Sequence, residues 1–129
     1  MRCLIVDDSA NFRDAAAAML ERAGICVVGM ASNSVDALNL YRELRPDVTL
    51  VDVDLGAESG FDLAVQLQDA DSPSPSVILI STHSEQDFAD MIAASPALGF
   101  LPKFALSPGA IRNLLADRVD PNSRASRGT

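Results

Sequence analysis

Basic side chains are scarce in this sequence. Ten lysines and arginines stand against 18 aspartates and glutamates in 129 residues, a formal charge of −8. So acidic a chain repels a phosphate backbone, which argues against direct nucleic-acid binding. Cysteine is also rare. Cys3 and Cys26 fall inside apolar runs without metal-ligand spacing, so we expect two buried thiols in a reducing compartment, paired only if their strands are neighbours. No apolar run approaches a membrane span, and the start MRCLIVDD lacks a signal peptide's long apolar core and cleavage site. The expected setting is the cytoplasm, away from membrane. A second domain, an internal repeat and a long linker are missing too, and this length suits one domain that needs no staples.

What the sequence does contain is a rhythm. Short apolar runs, CLIV (3–6), CVVGMA (26–31), VTLV (48–51), SVILI (76–80) and GFL (99–101), alternate with segments of helical period. The first helix places Phe12, Ala15, Ala16, Met19, Leu20 and Ala23 on one face before Gly24. The second begins near Ser34, carries Val35, Leu38, Tyr41 and Leu44, and stops before Pro46. The third follows Gly60 with Phe61, Ala64 and Leu67 inward. The fourth opens on Ser84 with Asp87 three positions on and turns Phe88, Met91 and Ile92 inward. The fifth opens on Ser107 and Pro108 and carries Ile111, Leu114 and Leu115. Nearly unbroken apolar strands alternating with helices predict an α/β fold, doubly wound around a parallel sheet. DSPSPS (71–76) reads as a surface loop, and the tail from Asp120 to Thr129 as disordered.

Ligands of such sheets gather beyond the carboxyl ends of the strands. There this chain puts Asp7 and Asp8, then Asp52 with Asp54 close behind, then Ser81 and Thr82, and finally Lys103. As a helix cap alone, one acid would suffice after the first strand, so the Asp7–Asp8 pair asks for another explanation. Carboxylates held together without a cation destabilise a fold, and an all-oxygen donor set suits a hard ion such as Mg²⁺. A carboxylate flanked by such an ion, an ammonium and a hydroxyl is equipped to attack phosphorus and form an aspartyl phosphate.

Five pieces in order, VDD (6–8), LVDVDLG (50–56), the glycine of ESGFD (58–62), ILIST (78–82) and GFLPK (99–103), resemble the receiver domain of two-component response regulators over about residues 1 to 118. The resemblance implies a flavodoxin-like five-stranded sheet of order 2-1-3-4-5 with five helices on its two faces, a receiver over 1–119 and a tail over 120–129. It implies Asp52 as phosphoacceptor and Mg²⁺ ligand, Asp8 as a direct Mg²⁺ ligand, Asp7 acting mainly through a metal-bound water, and the Asp54 carbonyl completing the set, with Mn²⁺ able to replace Mg²⁺. Lys103, the Ser81 hydroxyl and the Thr82 amide would hold the phosphoryl oxygens, and Ser81 with Phe100 would form the switch. A sensor histidine kinase or phosphotransfer protein would be the donor, and a phosphorylation-dependent homodimer is compatible with the family. Two positions depart from the pattern: Gly56 replaces a proline after the acceptor segment, and Phe104 replaces a proline after Lys103. The PKF-x-L-S-P run also resembles receivers joined to helix-turn-helix outputs.

Two rival functions use the same residues. A haloacid-dehalogenase-like phosphohydrolase would employ Asp52 as nucleophile and Asp54 as general acid, although that family places this motif on its leading strand. A phosphorylation-independent binding module would use the fold only for contacts. The receiver reading makes the chain a self-dephosphorylating phosphoacceptor, not a turnover enzyme. His83 reads as a surface histidine, with control of water access to the acyl phosphate as the functional alternative.

Overall fold

The computed structural model describes residues 1–70 and 76–116. The tail from Asp120, and all of the DSPSPS loop except Ser76, lie outside them. Five strands, β1 (Arg2–Val6), β2 (Cys26–Ala31), β3 (Val48–Asp52), β4 (Val77–Ser81) and β5 (Gly99–Pro102), form one parallel sheet. Their order is β2-β1-β3-β4-β5, as expected. Between them run α1 (Ala10–Arg22), α2 (Ser34–Leu44), α3 (Gly60–Ala70) and α4 (Ala89–Ala94), and residues 108–116 form α5. Among the described residues no helix is long and apolar enough to cross a membrane.

Strand side chains alternate between the two faces of the sheet, because successive Cβ atoms point oppositely. Cys3, Ile5, Val48, Leu50, Ile78 and Ile80 pack with Ala16 and Leu20 of α1 and Ile111 of α5. Leu4, Val6, Val51, Val77 and Leu79 pack with Ala37 and Tyr41 of α2, with Phe61, Leu63, Ala64 and Leu67 of α3, and with Phe100. Each strand is thus buried on both sides, which explains why it reads as an unbroken apolar run. The exceptions are the two edge strands, β2 and β5, which are only partly buried, β2 the more open. Its Cys26 is exposed, which corrects the expectation of two buried thiols; Cys3 is buried, and burial pushes its thiol up to about 12.

The helix faces are also refined. Ala15 is exposed, and Val35 is 64 % exposed while Ser34, Ala37 and Tyr41 are the buried residues of α2. Asn33 caps that helix by accepting the Asp36 amide at 2.9 Å, and Arg45 closes it in the left-handed region at φ 49°. The Arg2 guanidinium donates to the carbonyls of Leu44 and Arg45, satisfying groups that Pro46 prevents the helix from using. The fourth helix departs most. A 3₁₀ turn over Glu85–Phe88 precedes a six-residue α4 with no fully buried side chain, and Met91 is half exposed rather than inward. A short antiparallel ribbon, Asp54–Leu55 with Glu58–Ser59, was not expected from the sequence. It carries Glu58, whose carboxylate accepts the Ser34 amide at 2.9 Å.

Gly60 shows why a glycine stands at the start of α3. Its amide donates to the Val53 carbonyl at 2.9 Å, and a Cβ there would overlap the Asp52 carbonyl oxygen and lie 2.7 Å from Val53 Cα. The close approach fixes the backbone of Asp52. Gly60→Ala should therefore lower the urea midpoint, with a loss of roughly 3 kcal/mol by overpacking. Gly109→Ala, where an added Cβ meets only Ser107 Oγ at 4.0 Å, should raise it slightly.

Candidate functional site

The alternation of strand faces also sets the site. Asp7 continues the side of Cys3 and Ile5, and Asp52 continues that of Val48 and Leu50, so neighbouring strands deliver both acids to the α1/α5 face. Both are buried, Asp7 at 0 % and Asp52 at 5 % exposure, while Asp8 is exposed. One carboxylate oxygen from each of the three lies within 4.8 Å of the others. Asp7 and Asp8 do not cap α1: Ser9 does, accepting the Phe12 amide at 3.3 Å, and Asp7 Oδ1 accepts the Ser9 amide at 2.8 Å.

Lys103 enters from the end of β5. Its Nζ lies 2.7 Å from Asp7 Oδ2 and donates to Asp52 Oδ2 at 3.2 Å. The Phe12 ring holds it from the other side, with its centroid 4.3 Å from Nζ. Although burial alone would lower its pKa, the Asp7 and Asp52 carboxylates prevail and hold the ammonium above its ordinary value. Asp52 moves up as well, from 3.8 to about 6. Burial is the main cause and Asp7 adds to it, opposed by the Asp54 amide, which donates to Asp52 Oδ1 at 3.1 Å, and by Lys103.

One ammonium thus faces three carboxylates. Asp7 Oδ2 and Asp52 Oδ2 share that one ammonium, and Asp8 lies outside salt-bridge reach of it. Three clustered carboxylates, two of them buried and one open to water, fit a hard divalent cation that keeps part of its hydration shell. Asp7, Asp8 and Asp52 would hold it.

The remaining expected residues lie around this cluster. Asp54 points its carboxylate outward and offers Asp52 its amide. Ser81 and Phe100 lie on the opposite face of the sheet, and the buried Ser81 hydroxyl accepts the His83 amide at 3.0 Å. Thr82 is exposed, its hydroxyl 3.5 Å from His83 Nδ1. Phe100 is already inside, its ring centroid 6.3 Å from that of Phe88. Sequence reasoning missed Phe12 as the support of Lys103, and Arg13, whose guanidinium donates to the Asp7 carbonyl. The signal available was their position one turn beyond the acidic pair, where α1 must pass over the strand ends.

The sequence matches the response regulator receiver domain family over residues 3–116. The chain belongs to that family. Chemotaxis protein CheY of Thermotoga maritima is 30 % identical over 102 residues, covering 79 % of this chain and 84 % of that protein. Protein-glutamate methylesterase/protein-glutamine glutaminase 1 of Methanospirillum hungatei is 32 % identical over 115 residues, and this chain spans only about a third of such curated relatives (33 %). Among solved structures, the signal receiver domain of the response regulator NarL from Mycobacterium tuberculosis matches with a TM-score of 0.76 and 30 % identity, over 90 % of this chain and 93 % of that domain. A response regulator from Burkholderia pseudomallei, solved with a phosphorylated aspartic acid, a calcium ion and citrate, matches with a TM-score of 0.77 and 26 % identity, over 97 % of this chain and 74 % of that one. This receiver therefore shares its fold and phosphoacceptor signalling role with that family.

Two outcomes follow from the receiver's charge balance. Because Asp52 binds its proton more tightly when folded, its ionisation weakens the metal-free protein as pH rises from about 4 to about 6. The penalty is complete above that window, at on the order of 3 kcal/mol. In metal-free buffer Asp52→Asn should accordingly unfold at a higher temperature than the parent at pH 7, the advantage shrinking towards pH 4. Mg²⁺ should stabilise the parent, by about 2.7 kcal/mol at a hundredfold excess over Kd, and thermal melts of Asp8→Ala should lose most of that rise.

Proposed function

We propose that this receiver accepts a phosphoryl group on Asp52 from a phosphohistidine of a sensor histidine kinase or phosphotransfer protein. The observation that carries the proposal is the meeting of Asp7, Asp8 and Asp52 with Lys103 in contact with two of them. An Asp52 carboxylate oxygen attacks phosphorus, the phosphorus–nitrogen bond breaks, and the donor imidazole leaves with the electron pair. Lys103 is positioned to neutralise an equatorial oxygen as charge is redistributed. Mg²⁺, when bound, would supply further neutralisation of phosphoryl charge. Asp8 and Asp52 would hold it directly, Asp7 mainly through water, and Asp54 through its carbonyl, with Mn²⁺ the expected substitute. The phosphorylated aspartate and calcium ion of the Burkholderia neighbour support this chemistry by similarity.

Switching follows from the position of the Ser81 hydroxyl. To reach a phosphoryl group it must give up the His83 amide, and the Thr82 amide would join it. New contacts to Ser81, Thr82 and Lys103 would favour a second arrangement, read through Phe100 at the α4–β5–α5 surface. That surface would serve a protein partner or a phosphorylation-dependent homodimer. On this reading residues 1–119 are the signalling unit, 120–129 a tail, and the setting cytoplasmic. The outward Asp54 carboxylate speaks against the phosphohydrolase alternative, which needs a second acid aimed at the leaving group.

Incubation with a small acyl phosphate and Mg²⁺ should add one phosphoryl group per chain, an incorporation that a chelator present from the start prevents, without turnover of a phosphate monoester. A folded Asp52→Asn chain that still incorporates phosphate would sink the assignment.

A further inference from the structure

Between Arg45 and Lys103 the sequence contains no arginine or lysine at all. That stretch builds α3, the 3₁₀ turn and α4, so every formal charge on these elements is acidic. Two continuous hollows run between them. One, about 280 Å³, is lined by Val53, Phe61, His83, Phe88 and Met91, with Asp54 and Glu58 on its rim. The next, about 200 Å³, shares Phe61 and Met91 and extends over Val65 and Ala94 beside Asp62. Val65 is 45 % exposed and Met91 50 %, and no residue of α4 is fully buried, so the apolar floor is open to water. Asp87 and Asp90, both exposed, line an adjoining hollow that shares Phe88 and Met91 with the first.

An open apolar channel with an acidic rim selects its occupant by chemistry. We infer that the α3–α4 groove of this receiver is a docking site for a basic amphipathic helix of a partner protein, its apolar stripe seated on Phe61, Val65, Phe88 and Met91 and its lysines or arginines facing Asp54, Glu58 and Asp62. The apolar floor supplies affinity, and the rim supplies orientation and a fast encounter. An acidic or neutral helix would leave the carboxylates unpaired or opposed, and a second copy of this acidic chain would bring like charge to like charge. The surface differs from the α4–β5–α5 face and needs no phosphoryl group. Phe88 nonetheless touches both the groove and Phe100, its ring centroid lying 5.8 Å from that of Phe61 and 6.3 Å from that of Phe100.

The test uses the full chain and three synthetic peptides of equal length: a leucine/lysine amphipathic helix, the same helix with lysine replaced by glutamate, and the lysine helix with its leucines replaced by serine. The first should bind with amide shift changes centred on Phe61, Val65, Phe88 and Met91, and the other two at least about tenfold more weakly. Val65→Ser with Met91→Ser, at exposed positions that keep the fold, should weaken the first peptide by about tenfold or more without changing the salt dependence. Asp62→Asn with Asp54→Asn should flatten that salt dependence. Equal binding of the serine peptide would show bulk charge attraction alone, and shift changes elsewhere would place the contact elsewhere. Self-association of the parent through Val65 and Met91 in sedimentation would assign the groove to a second copy. Any of these three results overturns the inference.

Discussion

Lys103 is the charge on which this structure turns. Three carboxylates are brought to one edge of the sheet, two of them buried, and a single ammonium is drawn between Asp7 and Asp52 to hold them. Like charges at this separation interact strongly in a poorly hydrated site, so the arrangement is tolerated only with a countercharge in contact. The surroundings serve that contact. Phe12 fixes the ammonium from α1, Gly60 lets α3 press on the Asp52 backbone, and the Asp54 amide occupies the oxygen of Asp52 that Lys103 does not. One monovalent ion still leaves the cluster short of neutrality. The excess of carboxylate over ammonium at Asp7, Asp8 and Asp52 marks where a divalent cation would act.

The alternation of strand faces separates chemistry from output. Asp7 and Asp52 belong to the α1/α5 side of the sheet, whereas Ser81 and Phe100 belong to the side packed by α2, α3 and α4. A change at Asp52 must therefore pass around the strand ends rather than through the sheet. Ser81 sits at that rim, its hydroxyl committed to the next loop through His83. His83 in turn meets the edge of Phe88 at 5.9 Å between centroids, and Phe88 touches both Phe61 and Phe100. The short α4, carried on these rings with no fully buried side chain of its own, is weakly anchored to the core and so readily displaced.

Much of this was legible in the residues. Five apolar runs alternating with helical periods specify a parallel sheet because a strand covered on both faces can show no polar side. Acids placed where strands end specify a site because ligands gather there. What was misread was misread for physical reasons. Val35 and Met91 fit the helical period, yet α2 is rotated to bury Ser34 and Ala37, and α4 is too short to bury Met91. Cys26 resembles a core thiol in an apolar run, but an edge strand has no neighbour on one side.

The sequence by itself determined the fold class, the strand order through its family resemblance, and the identity of the acids and the lysine at the strand ends. These follow from local pattern and residue chemistry, which a single chain carries openly. Only the tertiary structure decided that Lys103 reaches Asp7 as well as Asp52, that Phe12 holds it there, and that Ser81 faces the other side of the sheet. Those are distances between groups far apart along the chain, and they depend on the closing of loops and the crossing of helices. Spacing in sequence does not encode them.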